Sequence, residues 1–340
     1  MDESNPPLWK DFILSDPLFK DLHEIKSKVL SSPDADNHYA KKRNFVSNPT
    51  QKSKEDMFQM TKQIGGQLAK ATGILNTRTF GPPTVLDLCM APGGFGTTVK
   101  ARFPRARIDG LTLPMDMGGN EVMARNVFRE IVYADITMFM GETGAVKDDI
   151  PSQHPDLHNF NLSSPYQRTE YDLIFCGGGV IKENHEREAY REDCEGTRLT
   201  LSQLVFALNR LRSGGCLVIL LHRVQSWDTA SLLYTLSRFA RIQAFKSFRS
   251  HGVTSSFYLV AEGVDMKSKI AVQAVKYWKE VWKYLTFKEY DGMQEPTVPN
   301  LLDISPEKLI SEFGERLLEI ARPLWEIQKG KLAQLLDSLV

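Results

Sequence analysis

No stretch of this chain reads as a membrane span. The longest purely apolar run, Cys216–Leu221, has six residues, against the roughly 20 that cross a bilayer. Cysteine is scarce: Cys89, Cys176, Cys194 and Cys216 are the only four, with no CxxC spacing. Three of them lie in apolar, strand-like runs. The expectation is buried reduced thiols in an intracellular protein, cytoplasmic or nuclear. The opening MDESNPP is acidic and polar, unlike a secretory signal. An excess of either charge is missing too, with 42 Lys+Arg against 42 Asp+Glu, so any nucleic-acid contact needs a local patch. His185-Glu186 does not begin a HExxH motif, because Ala189 holds its last position; no metal site is expected. What remains is a globular composition, 42% hydrophobic and 25% charged over 340 residues, which excludes a disordered, collagen-like or fibrous chain.

Asp16-Pro17 reads as an N-cap followed by proline at the first helical position, and Leu18, Leu22, Ile25 and Val29 recur at helical spacing. The stretch Asn37–Lys54 has five basic residues and no acidic one, with Tyr39 and Phe45 interleaved; phosphate contact and base stacking are one reading, a solvated loop the other. A helix follows over 55–75. Strands are then expected at 84–90, 108–113, 131–134, 171–176, 216–221, 242–245 and 256–261. Helices are expected from about Thr97, over 199–211 and over 229–239. Residues 141–170 read as an insertion loop, and Gly214-Gly215 as the turn into a strand. Strand–helix alternation predicts an α/β fold with a Rossmann-like, doubly wound, mostly parallel sheet. A helical and basic segment over 1–80 precedes the central domain, 81–263, and a helical extension over 264–340 follows it. In the extension Trp278 and Trp282, at i,i+4, read as a packed face.

The chemistry concentrates in Val85–Gly96. A strand enters a glycine-rich turn that opens a helix, which presents free N–H groups and lets a ligand approach the backbone. Asp87 lies within that strand, and the carboxyl ends of the strands form the crevice where such sheets bind ligands. Gly94-Phe95-Gly96-Thr97-Thr98-Val99 lacks only the last glycine of a dinucleotide fingerprint. A nicotinamide cofactor also wants an acidic residue just after the second strand, and none occurs there before Asp116.

The segment LDLCMAPGGF, residues 86–95, resembles the first motif of the FtsJ-like methyltransferases. The resemblance extends over about residues 50–262: Gly110-Leu111-Thr112-Leu113, Ala134-Asp135-Ile136-Thr137, Tyr171-Asp172-Leu173-Ile174-Phe175, Gly214-Gly215 and Ser255-Ser256-Phe257-Tyr258 follow in family order. It implies S-adenosylmethionine as cofactor, held by Asp87, Cys89, Ala91, Pro92, Gly93, Gly94, Phe95, Thr112, Leu113, Asp135, Ile136 and Gly177. A side chain at Gly93 is expected to fill the space that the cofactor's amino-acid end needs.

The family methylates RNA ribose with a Lys-Asp-Lys-Glu tetrad, and here the pattern departs. The Asp position falls at Gly177, the second Lys at Leu220 and the Glu at Ser256. The first Lys lies in the helix before Val85, where Lys62 and Lys54 stand. A non-tetrad mechanism is therefore expected, on RNA or on a small molecule; a SAM-binding pseudoenzyme or RNA-binding module is the alternative. His222, two residues past Leu220, leans to the same strand face by period-2 alternation and suits a general base. The expected catalytic residues are His222 and Lys62, with His251 a weaker candidate. The segment Glu183–Arg198, which includes His185 and Glu186, reads as a solvated face.

Overall fold

The computed structural model describes residues 5–32, 50–76, 81–180 and 188–338. Strands β1 (Thr84–Leu88), β2 (Arg107–Thr112), β3 (Glu130–Tyr133), β4 (Tyr171–Cys176), β5 (Leu211–His222), β6 (Arg241–Phe245) and β7 (Ser256–Glu262) form one sheet of order β3-β2-β1-β4-β5-β7-β6. The pairs from β3 to β5 are parallel, and β7 runs antiparallel between β5 and β6. Strand order reverses at β1, so the β1 and β4 termini open a crevice at the switch point.

Alternation along each strand sorts the core into two layers. Leu86 and Leu88, Ile174 and Cys176, and Leu217, Ile219 and Leu221 join one cluster; Val85, Leu173 and Phe175, and Cys216 and Val218 join the other. Because both faces are covered, the strands read as continuous apolar runs. Helices α3 (Gln51–Thr72) and α4 (Gly94–Arg102) cover one face. Helices α5 (Glu195–Leu208) and α6 (Trp227–Ser237) lie on the other, with α1 (Pro7–Leu14), α2 (Pro17–Leu30), α7 (Lys269–Asp291) and α8 (Pro306–Asp337) adding to that layer.

The terminal helices belong to the same core. Asp16 caps α2 by accepting from the Leu18 and Phe19 N–H groups at 3.0 and 3.2 Å, a bond worth about 1 kcal/mol. Its other oxygen takes the Arg322 guanidinium of α8 at 2.8 Å. Phe19 packs on Trp325 at 4.9 Å, and Trp9 sets against Trp227 at 5.5 Å. Trp278 and Trp282 are buried, and the Trp282 indole donates to the Thr137 carbonyl at 3.2 Å. Residues 141–170 are irregular, with short 3₁₀ turns at Met140–Thr143 and Lys147–Asp149. The four cysteines are free thiols. Among the described residues no helix is long and apolar enough to cross a membrane.

Two expectations change. Gly214-Gly215 is not a turn before a strand. β5 already starts at Leu211, and the glycines sit in a bulge where the β4–β5 register shifts between Tyr171 and Leu173. Gly214, at φ +86°, and Gly215 bond across to Val264. The described part of Glu183–Arg198 is solvated on one side only: Glu188, Glu192 and Asp193 are exposed, whereas Tyr190, Arg191, Cys194, Glu195 and Arg198 are buried. Their charges are paired inside the protein, which removes the need for water.

Candidate active site

The β1–α4 turn is built on unusual backbone. Cys89 stands at φ +57° and Gly93 at φ +106°. Helix α4 then begins at Gly94, and the Gly96 N–H donates to Asp87 Oδ2 at 3.3 Å. Asp87 Oδ1 is buried without a hydrogen-bond partner. Burial pushes this carboxyl well above its usual range, against the pull of the Gly96 N–H. Phe95 backs the turn, stacked on Phe175 at 5.0 Å and edge-on to Tyr258 at 5.6 Å.

In front of the turn lies a cavity of about 250 Å³. Cys89, Ala91, Thr112, Leu113, Asp135, Ile136 and Gly177 line it. Asp87, Pro92, Gly93, Gly94 and Phe95 do not line it; they form the turn behind it. Burial, and then Asp135 and Asp87, push the Cys89 thiol up to about 12, so it remains protonated. Asp135 caps a 3₁₀ turn, accepting from the Thr137 N–H at 2.9 Å and the Thr137 hydroxyl at 2.8 Å. Its other oxygen accepts from Arg191 at 2.8 Å. Arg191 also donates to Glu195 Oε1 at 2.6 Å, and Arg198 donates to Glu195 Oε2 at 2.9 Å. The three bonds to Asp135 hold it ionised below the usual carboxylate range, against the burial that works the other way. Arg191 and Glu195 line the cavity as well.

Neither Arg191 nor Glu195 stands out in the sequence as a site residue. Nothing there signals that a charge near position 191 meets the end of β3, 56 residues earlier. Removing the fully buried Arg198 guanidinium as Arg198→Met leaves Glu195 short of one partner. A loss of about 3–5 kcal/mol in unfolding free energy is expected by urea titration.

Gly177-Gly178-Gly179 leaves β4 as a flat loop clamped by Gln203 of α5. Gln203 Oε1 accepts from the Gly178 N–H at 2.8 Å, and its amide reaches the Gly178 carbonyl at 3.5 Å. A Cβ on Gly178 would come within 2.7 Å of Cys89 Sγ, whereas one on Gly177 would meet nothing closer than 3.7 Å. Gly177 is thus not required by crowding. Gly178, Gly179, Val180 and Leu199 line both this cavity and a larger one of about 810 Å³.

His222 and Ser256 line the larger cavity, as does Leu220. Register pairs His222 with Ser256 and Leu220 with Tyr258. The His222 Nδ1 and the Ser256 hydroxyl are 3.0 Å apart, and Thr254 donates to the same hydroxyl at 3.2 Å. His222 keeps an exposed surface at the end of β5; partial desolvation by its neighbours, then Arg223 and Lys246, hold the imidazole below its ordinary ionisation. Behind Ser256 the buried Lys246 amine donates to the Thr254 and Ser256 carbonyls at 2.6 and 2.7 Å. Burial, with Lys26 adding to it, brings that amine down to about 7.

Lys62 is not buried on α3 and lines neither cavity. Lys54 pairs with Glu121 at 2.9 Å. His251 packs against Tyr258 at 5.8 Å and also lines neither cavity. Residues 37–49 of the basic stretch, and Lys182, Asn184, His185 and Glu186, lie outside the described residues.

No curated protein matches the chain. Among solved structures, the chain is similar to a TehB-like SAM-dependent methyltransferase from Corynebacterium glutamicum, at 15% identity over 61% of this chain and 98% of that one, with a TM-score of 0.32. It is similar to an rRNA methylase from Streptococcus thermophilus at 15% identity, over 58% and 95% of the chains, with a TM-score of 0.33. A third is the Thermus thermophilus 16S rRNA N2 G1207 methyltransferase in complex with AdoMet and guanosine, at 14% identity over 59% and 42%, with a TM-score of 0.33. The model of the FtsJ-like methyltransferase family matches residues 67–264. With that match over more than half of its length, the chain belongs to the FtsJ-like methyltransferase family, whose cofactor is S-adenosylmethionine.

Proposed function

We propose that the methyl acceptor occupies the larger cavity and that His222, oriented by Ser256, takes its proton, in place of a Lys-Asp-Lys-Glu tetrad. The observation that carries this is the shared wall. Gly178, Gly179, Val180 and Leu199 face both cavities, and the His222–Ser256 pair lines the larger one.

The residues of the smaller cavity fit the cofactor. Cys89, Ala91 and Gly177 leave the strand ends open to a ligand, Gly177 leaves room above the Leu88 carbonyl, and the buried Asp87, behind the turn, holds the Gly96 N–H that shapes it. Asp135 and Ile136 would hold the adenine end, with Thr112 and Leu113 beside the ribose. The bound cofactor supplies an electrophilic methyl on a sulfonium. The glycine loop fixed by Gln203 sets the spacing between the cavities, and alignment alone contributes much to a transfer of this kind. For His222 to accept a proton at Nε2, its Nδ1 carries a hydrogen that Ser256 Oγ accepts, the arrangement of a base with an orienting partner. Leu220 adds no charge that would compete. Lys62 has no part in this reading.

Calorimetry tests the cofactor half: S-adenosylhomocysteine is expected to bind, and NAD to give no heat. Tight NAD binding with no response to S-adenosylhomocysteine would overturn it. A ribose-methylation assay on capped and uncapped RNA tests the absence of the tetrad. No 2′-O-methylation that depends on Lys54 or Lys62 is expected, and robust activity that Lys62→Ala or Lys54→Ala abolishes would contradict the reading.

A further inference from the structure

Building on the proposed acceptor cavity, we propose that the acceptor is a small ring-bearing molecule with an acidic hydroxyl, a phenol or its heteroaromatic counterpart. The first support is size. About 810 Å³ lies within the roughly 300–1,000 Å³ of cavities that enclose small organic ligands.

The second support is the wall. Trp227, Tyr277 and Trp278 offer ring surfaces, with Leu232, Val281 and Ile304 between them. Trp227 is held in place before any ligand arrives: its ring meets Trp9 edge-on at 5.5 Å, and its backbone N–H donates to Asn5 Oδ1 at 2.6 Å. A rigid apolar wall of this kind takes a flat ring at little entropic cost.

Charge is the third support. Among the described residues, Asp193, Asp228 and Asp303 line the cavity beside Arg223 and His222. A nucleic-acid strand carries a phosphate at every nucleotide and is held by cations; the described part of this wall has more carboxylates than cations. The two nearby lysines, Lys26 and Lys246, are engaged by residues of the wall itself. Lys26 donates to Ser255 Oγ at 3.0 Å, and Lys246 is engaged by the Thr254 and Ser256 carbonyls.

The chemistry closes on His222. The hydroxyl proton passes to Nε2 as the oxygen forms its bond to the methyl carbon. The carbon–sulfur bond breaks with its electron pair staying on sulfur, so the sulfonium becomes a neutral thioether. The products are a methyl ether, S-adenosylhomocysteine and a protonated imidazole that water re-neutralises. An aromatic hydroxyl, more acidic than a ribose hydroxyl, suits an imidazole base.

The full-length protein is incubated with methyl-tritiated S-adenosylmethionine and, separately, with 2-naphthol, 8-hydroxyquinoline, catechol and a capped RNA oligonucleotide. Label is expected in the solvent-extractable methyl ether of at least one ring hydroxyl, and none in the RNA. Leu232→Trp, which fills the cavity, is expected to cut transfer at least tenfold while S-adenosylhomocysteine affinity holds. Gly196→Phe does the same from a helical position where an added Cβ meets nothing within 4 Å, so it folds even where Leu232→Trp does not. Label in the RNA, or no label in any ring hydroxyl by a protein that binds S-adenosylhomocysteine, overturns the proposal. Transfer undiminished in folded Gly196→Phe also overturns it. A protein that does not bind S-adenosylhomocysteine overturns the cofactor reading beneath it as well.

Discussion

His222→Asn is expected to lower turnover by about 10²–10⁴-fold, the usual contribution of a general base, with S-adenosylhomocysteine affinity nearly unchanged. Affinity holds because the cofactor cavity is lined from the ends of β1, β2, β3 and β4, whereas His222 ends β5 and faces the other cavity. A purely structural histidine predicts the opposite pattern. The hydrogen bond to Ser256 would be altered, the melting temperature would fall, and turnover per folded molecule would survive. Measuring both separates the two. The pH profile adds a second readout. Partial desolvation, Arg223 and Lys246 lower the ionisation of His222, so the ring is a neutral base at pH 7, and activity falls only as pH drops through a value below the usual 6.5 or so. The sign for stability is the same. The folded state binds this proton less readily than the unfolded chain, so the contribution of His222 is present at neutral pH and lost as pH falls. In His222→Asn the acid limb of the activity profile disappears.

Gly93→Val is expected to abolish S-adenosylhomocysteine binding, with affinity falling at least about 100-fold by calorimetry. The reason differs from the one the sequence alone offers. A Cβ there does not point into the cofactor cavity; it would stand 3.1 Å from Ala124 Cβ and 3.3 Å from the Phe128 ring. Gly93 also holds φ +106°, which a β-branched residue adopts only at high cost. The turn must therefore rearrange, and with it the start of α4 and the Gly96 N–H that holds Asp87. Gly94→Ala gives a comparison with a different failure. Its Cβ would collide with Thr61 Oγ1 and the Lys62 backbone nitrogen, driving α3 off α4. It should cost stability by urea titration as well as affinity.

Much of the fold is legible in the amino-acid sequence alone. Strand-like runs such as Tyr171–Cys176 are buried on both faces, so their apolar character survives any detail of packing. The β1–α4 turn can be read because glycine and proline constrain the backbone locally. The His222–Leu220 relation rests on the two-residue period of a strand, and the cross-strand register of β5 and β7 carries it further: Ser256, marked in the sequence as a lost glutamate, is the residue that meets His222. What stays hidden depends on long-range pairing. Arg191 looks like surface charge until Asp135 and Glu195 are brought against it, and Lys246 is an ordinary lysine until the chain entering β7 sets the Thr254 and Ser256 carbonyls around the amine. Gln203 sits in an amphipathic helix with no mark of its role. Its task, clamping Gly178, exists only because α5 packs beside the β4 terminus.

The central claim is that cofactor and acceptor meet across the Gly178–Val180 wall, with His222 on the acceptor side. A crystal structure with S-adenosylhomocysteine tests it most directly. The expected result is adenine against Asp135 and Ile136, the amino-acid end over the β1–α4 turn, and the sulfur directed toward the larger cavity and the His222 ring. A sulfur directed toward α3 and Lys62, with the larger cavity closed off from it, would contradict the claim.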